Sequence, residues 1–231
     1  MNQSDLLTNL QKLMPTGTLS INSDERSLSA QFALHQQGHP PICILHPGNT
    51  DELGDIIQYA NEISLNLTVT SSTGMHRRGG IINHEQHILI DLSHLKKIDL
   101  IDRRNRVCRI EPGVTYSQLV TELALHGMTI PMPLAPRNGK SVLAAVMDRE
   151  PSTWANKQWD SADPACSTEF FFGSGDRFRT GAAGGPGSIE QQRESGGKKA
   201  SRRSLADRFS SCSNGVKAPW VLSTGSLFGP K

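Results

Sequence analysis

The sequence predicts an α+β fold. Three observations carry this: a strand–helix–strand pattern over residues 42–70, three strand-like runs between His87 and Ile110 followed by an amphipathic helix, and an apolar hairpin within residues 167–180. With 231 residues the chain suits one large domain or two small ones. Hydrophobic residues make up 36%, below the roughly 45–50% of ordinary domains, although that figure counts Gly and omits Tyr. No apolar run approaches the roughly 20 residues of a membrane span.

Residues Ser4–Met14 predict a short helix with Leu6, Leu7, Leu10 and Leu13 on one face and Pro15 as its stop. The Ser-rich text from Thr16 to Gln37 predicts no regular element. Ile42–His46 is a short apolar strand, Pro47-Gly48 turns the chain, and Asn49 or Thr50 caps a helix carrying Leu53, Ile56, Ile57 and Ala60. Leu65–Thr70 alternates like a strand and leads into a Gly-containing loop, Ser71-Ser72-Thr73-Gly74-Met75-His76-Arg77-Arg78-Gly79-Gly80. Strands follow at His87–Asp91, Lys97–Ile101 and Arg106–Ile110, with a hairpin turn at Asp102–Asn105. After Pro112-Gly113, Thr115 or Ser117 caps a helix through Leu119, Val120, Leu123 and Leu125 that ends near Gly127. Ser167–Phe172 and Arg177–Thr180 form a hairpin around a Gly-rich turn. Beyond Gly181 the polar, Gly-rich text predicts disorder, because it buries too little apolar surface to offset ordering entropy.

The formal charge of +2 hides an asymmetry: from Arg193 onward eight basic and two acidic residues give +6, leaving −4 for the rest. Basic character confined to a tail without interleaved aromatics argues against nucleic acid as a partner. Four dispersed cysteines without a CxxC pair predict neither a disulfide framework nor a zinc site, and Cys108 is expected to be a buried small hydrophobe. The polar, amphipathic N-terminus lacks the pattern of a secretory signal, so the expected compartment is the cytoplasm, with a membrane reached only through a partner.

A Ser/Thr/Gly loop leaving a strand suits a phosphate, since backbone N–H groups approach closely where no Cβ intervenes and the hydroxyls of Ser71, Ser72 and Thr73 add donors. Both the GxGxxG fingerprint and the GxxxxGK[ST] loop are missing. The order of segments is more specific: PICILHPGNTDELGDIIQYANE, VTSSTGMHRRGGI, ILIDLSHLKKIDLIDRRNRVCRIEPGVTYSQLVTELALHGMTIPMPLAPRNGKSVLAAV and STEFFFGSGDRFRTG. This resembles the FAD-linked oxidase family of vanillyl-alcohol oxidase type, nearest its D-lactate and glycolate dehydrogenase branch, with Ile90–Val114 the most specific stretch.

The resemblance implies a two-subdomain FAD-binding domain of the PCMH type. Its implied cofactor contacts are Ser71, Ser72, Thr73, Gly74, Met75 and His76 at the pyrophosphate. Pro112 and Gly113 border the cofactor, and Ser141, Val142 and Leu143 lie nearer the flavin ring. Departures from the pattern are Ser71 in place of Arg, Gly74 as the single glycine before Gly79, and Leu143-Ala144 in place of Gly-Gly; each added side chain restricts backbone approach. Some relatives tether flavin through a loop histidine, but a solvated or pyrophosphate-facing His76 is preferred. The implied activity is oxidation of a small 2-hydroxy acid, and no catalytic acid or base is assigned.

The domain is expected to be incomplete at its C-terminal end: residues 1–38 are a lead-in, 39–183 the partial FAD-binding domain and 184–231 a disordered basic tail. The family's next segment and its substrate cap domain have no match. Read two nucleotides later through synonymous codons, Ser210–Pro230 spells VVFKRGQGTMGIVNWVTVRA, which contains the family's GQGTMGIV. This suggests an out-of-frame tail, a sheet edge left uncovered and a marginally stable chain. A cap-bearing or electron-accepting partner chain is implied if the fragment works as a subunit. The alternative is a non-catalytic flavin-binding subunit or a degenerate interaction module without turnover.

Other groupings receive plain readings. His84 and His87, and His35 and His39, are expected on the surface, with no metal assigned. Asp148-Arg149-Glu150 is expected to form loop ion pairs, and Trp154 and Trp159 ordinary loop packing.

Overall fold

The computed structural model describes residues 3–21, 40–73, 86–102, 107–151, 153, 165–179 and 221–228. Helix α1 (Gln3–Leu13) is followed by β1 (Thr18–Ser20), β2 (Ile44–His46), helix α2 (Thr50–Glu62), β3 (Asn66–Thr70) and β4 (His87–Asp91). These strands form one sheet in the order β1-β2-β4-β3, with β2 and β3 parallel to β4 and β1 antiparallel to β2. Both parallel pairings bring carboxyl ends together: Leu45 lies opposite Ile90, and Thr70 opposite Asp91. Brief β1, paired Thr18 to His46, is an element that the weak patterning of residues 16–37 does not predict.

Asn49 caps α2, its side-chain oxygen accepting from the N–H groups of Asp51 and Glu52 at 3.0 and 2.9 Å. The apolar face of the helix, Leu53, Ile56, Ile57 and Ala60, is buried against the sheet with Leu6, Leu10 and Met14 from the N-terminal segment. Glu52 is buried beside them and draws three donors: Thr16 N–H at 2.7 Å, the Thr16 hydroxyl at 2.5 Å and Gly48 N–H at 2.9 Å. Burial pushes its carboxyl up, but these bonds and Asn49 outweigh that and hold it below its ordinary value. The anion therefore clamps the N-terminal segment onto the turn that starts α2.

The second sheet contains β5 (Ile98–Asp102), β6 (Val107–Ile110), β7 (Ala165–Phe171), β8 (Arg177–Arg179) and β9 (Val221–Phe228), in the all-antiparallel order β5-β6-β9-β7-β8. Helices α3 (Tyr116–Leu125) and α4 (Val142–Met147) complete this half. Its core joins Cys108 and Ile110 of β6 to Tyr116, Leu119 and Leu123 of α3 and to Val142, Leu143 and Ala145 of α4. Thr115 starts α3 with a full capping box to Gln118, and Gly127, at φ 67°, carries the chain away from its end.

Two sequence expectations change here. Residues 184–231 are not wholly without order, because Val221–Phe228 forms β9. Nor is the sheet edge left uncovered as expected: among the described residues β9 pairs with β6 on one side and β7 on the other, and β5 and β8 are the edges. Apolar and β-branched residues at Val221, Leu222, Thr224 and Leu227 suit a strand locally.

Phe171 of β7 joins the halves. It is buried in the first core cluster, and a Cβ on Gly54 of α2 would stand 3.0 Å from its ring. Arg177 adds a polar link, pairing with Glu169 and, at 3.5 Å, with Asp51 of α2.

Candidate cofactor site

The described parts of three sequence-predicted segments meet at the carboxyl edge of the parallel strands, the edge at which open α/β sheets bind ligands. Ser71, Ser72 and Thr73 leave the end of β3. Thr73 N–H donates to the Gly139 carbonyl at 2.8 Å, and Ser72 Oγ accepts from Ser141 N–H at 3.0 Å. Ser141 is wholly buried and caps α4, its hydroxyl oxygen accepting from Ala144 N–H at 3.2 Å. Val142 N–H donates to Val114 at 2.9 Å, and Thr115 bridges to Ser141. Gly113 N–H donates to Leu95 at 2.8 Å, tying Pro112-Gly113 to the turn after β4.

Glycine is required at two of these crossings. A Cβ on Gly113 would lie 2.5 Å from the Ser93 carbonyl and 2.7 Å from those of Leu92 and Leu95. One on Gly139 would strike the Thr73 carbonyl and hydroxyl. The seam thus depends on backbones packed closer than any side chain permits.

Beside it lies a compact charge cluster. Glu150 accepts from Lys140 Nζ at 2.9 Å and pairs with Arg137, while Lys140 also pairs with Asp148. Two cations face two carboxylates, so the group is balanced. The loop ion pairs expected from Asp148 and Glu150 are present, with Arg137 and Lys140 as partners that sequence reading did not name. Burial, and then the charge of Glu150, pushes the Tyr116 hydroxyl up to about 12. It stays protonated at neutral pH and supplies no base there.

Val142 and Leu143 are buried in the first turn of α4, a helix that the sequence pattern does not predict. Gly74, Met75 and His76 lie outside the described residues, as do Arg77, Arg78, His35, His39, His84, Trp154 and Trp159. His87, expected on the surface, is 1% exposed inside β4. Cys108 is buried, as expected of a small hydrophobe, and so is Cys43.

This architecture is that of the vanillyl-alcohol-oxidase-type flavoenzymes. The 4-ethylphenol oxidase from Gulosibacter chungangensis superposes with a TM-score of 0.72 at 18% identity, over 98% of this chain and 42% of that one. For p-cresol methylhydroxylase the TM-score is 0.70 at 17% identity, over 99% and 44%. In sequence, a D-lactate dehydrogenase from Archaeoglobus fulgidus is 28% identical over 88 residues, 38% of this chain and 19% of that protein. The chain spans less than half the length of each of these relatives. Residues 41–181 match the FAD binding domain family. The chain belongs to that family, and FAD is its cofactor.

The residues present fit an anionic cofactor. The seam offers small hydroxyl side chains and closely packed backbone, and the neighbouring carboxylates Asp148 and Glu150 are neutralised by their cations. No helix among the described residues is long and apolar enough to cross a membrane.

Proposed function

We propose that this chain is the flavin-holding part of an oxidoreductase acting on a small 2-hydroxy acid of the lactate or glycolate type. The observation that carries the reading is the bonded convergence of Ser71–Thr73, Pro112-Gly113 and Gly139–Leu143 at one sheet edge. Its likeness to a D-lactate dehydrogenase supports the substrate class. In this reading FAD supplies the two-electron acceptor for the hydride on the hydroxyl-bearing carbon.

Ser72 Oγ accepts from Ser141 N–H, so its own proton is the one directed to a phosphate oxygen. Gly74, Met75 and His76 continue that contact, with the charge of Arg77 and Arg78 close in sequence. Lys140 takes no part in neutralising the diphosphate, because Asp148 and Glu150 hold it. Gly113 and Ser141–Leu143 shape the ring end, where buried Val142 and Leu143 exclude water.

The test is a visible spectrum after incubation with FAD and desalting, followed by anaerobic addition of D-lactate or glycolate. Retained flavin bands that bleach support the proposal, and Gly113→Val should abolish retention. A colourless wild-type chain overturns the site. Flavin that is retained but not bleached by any 2-hydroxy acid overturns the substrate assignment, leaving a non-catalytic flavin-binding subunit.

A further inference from the structure

We propose that His46, Asp91 and His94 form a binding site for one first-row divalent cation of the zinc class. Their ligating atoms, two imidazole nitrogens and a carboxylate oxygen, all lie within 4.8 Å of one another. Imidazole with carboxylate is a donor set suited to zinc, cobalt or nickel.

The fold builds this cluster from two rigid strand ends and a turn. His46 ends β2 and Asp91 ends β4; because Leu45 pairs with Ile90, the next residues are neighbours and project to the same face. His46 Nδ1 stands 3.5 Å from Asp91 Oδ2. That is long for a hydrogen bond, but two donors each about 2.1 Å from a tetrahedral ion stand about 3.4 Å apart.

Asp91 is also oriented by its surroundings. Its Oδ1 accepts from Ser93 N–H at 2.8 Å, which turns Oδ2 toward His46. That bond and Leu95 N–H to Leu92 at 3.1 Å close a tight turn, returning His94 over the strand ends. The His94 ring meets His46 edge-on, with centroids 4.9 Å apart and planes at 79°. His46 is half-buried and His94 exposed, so a small rotation of the outer ring completes three ligands, and water fills the remaining position. Spacing could not reveal the site: its ligands come from strands brought together by parallel pairing.

The test is calorimetric titration of the chelator-treated chain with Zn2+, paralleled by Co2+ absorption. The expected result is one saturable equivalent, with a Co2+ spectrum free of thiolate bands. His94→Ala, an exposed change that spares the core, should weaken binding more than about tenfold. Asp91→Asn should do likewise, and His126→Ala, distant in sequence and paired with Glu122 at 3.8 Å, should not. A thermal melt of metal-free His94→Ala matching wild type separates ligand loss from misfolding. Absence of saturable binding, thiolate bands, or equal affinity in wild type and His94→Ala overturns the proposal.

Discussion

The two sheets are assembled by different routes. Every strand of the first sheet lies between Thr18 and Asp91, and α2 packs on it between β2 and β3. The second sheet takes its middle strand, β9, from residues 221–228, far along the chain from β6 at 107–110 and well beyond β7 at 165–171. Pairings of long sequence separation carry loop-closure entropy that local contacts do not. The first sheet is therefore expected to hold together when the second does not.

The strongest way to break that asymmetry is in β9. Gly225 pairs with Ile110 and Thr168, and Gly225→Pro removes a ladder donor from the middle of the sheet. We expect a loss of about 3 kcal/mol or more, read by hydrogen exchange as lost protection in β6 and β7 while β3 and β4 remain protected. Equal loss in both sheets would mean that they fold as one unit.

Phe171→Ala tests the joint between them. Removing a ring that is 4% exposed should cost about 3–5 kcal/mol and separate one thermal transition into two. A single, merely shifted transition would refute the division.

Glu52→Gln acts within the first half, where α2 meets the N-terminal segment. It removes the anion that takes three donors, at an expected cost of about 1–3 kcal/mol near pH 7. Because the folded carboxyl sits below its ordinary 4.5, its contribution is complete above that value and disappears as pH falls through the folded one. Wild type should lose stability across that acid range more steeply than Glu52→Gln in urea melts. Smallest is Thr115→Ala at the capping box of α3, about 1 kcal/mol by the same melts.

Much of the first half was legible because its signals are local. The α2 face at Leu53, Ile56, Ile57 and Ala60, its cap at Asn49 and the bounds of β4 follow from periodicity and cap chemistry, and the structure matches them. β1 escaped because a three-residue strand in Ser-rich text has no period to detect. Strand β9 escaped because composition weighs a whole tail, whereas pairing needs eight suitable residues and two waiting edges. At the seam, the resemblance carried by the order of segments implied Ser71–Thr73, Pro112-Gly113 and Ser141–Leu143 as cofactor contacts, and the structure bonds these segments to one another through their neighbours. The order of segments did not reveal the helix that Ser141 starts, or the Lys140 pairs to Asp148 and Glu150.

By itself the sequence determined the family, the flavin and the elements whose apolar spacing or caps lie within one turn or strand. Tertiary structure alone decided which strand fills the middle of the second sheet, why Gly113 and Gly139 admit no Cβ, and that His46 meets Asp91 and His94. The physical reason is common to all three. Periodicity and capping are set by residues a few positions apart, whereas strand order, close backbone crossings and side-chain clusters are set by hydrogen-bonded pairing between residues the chain keeps far apart.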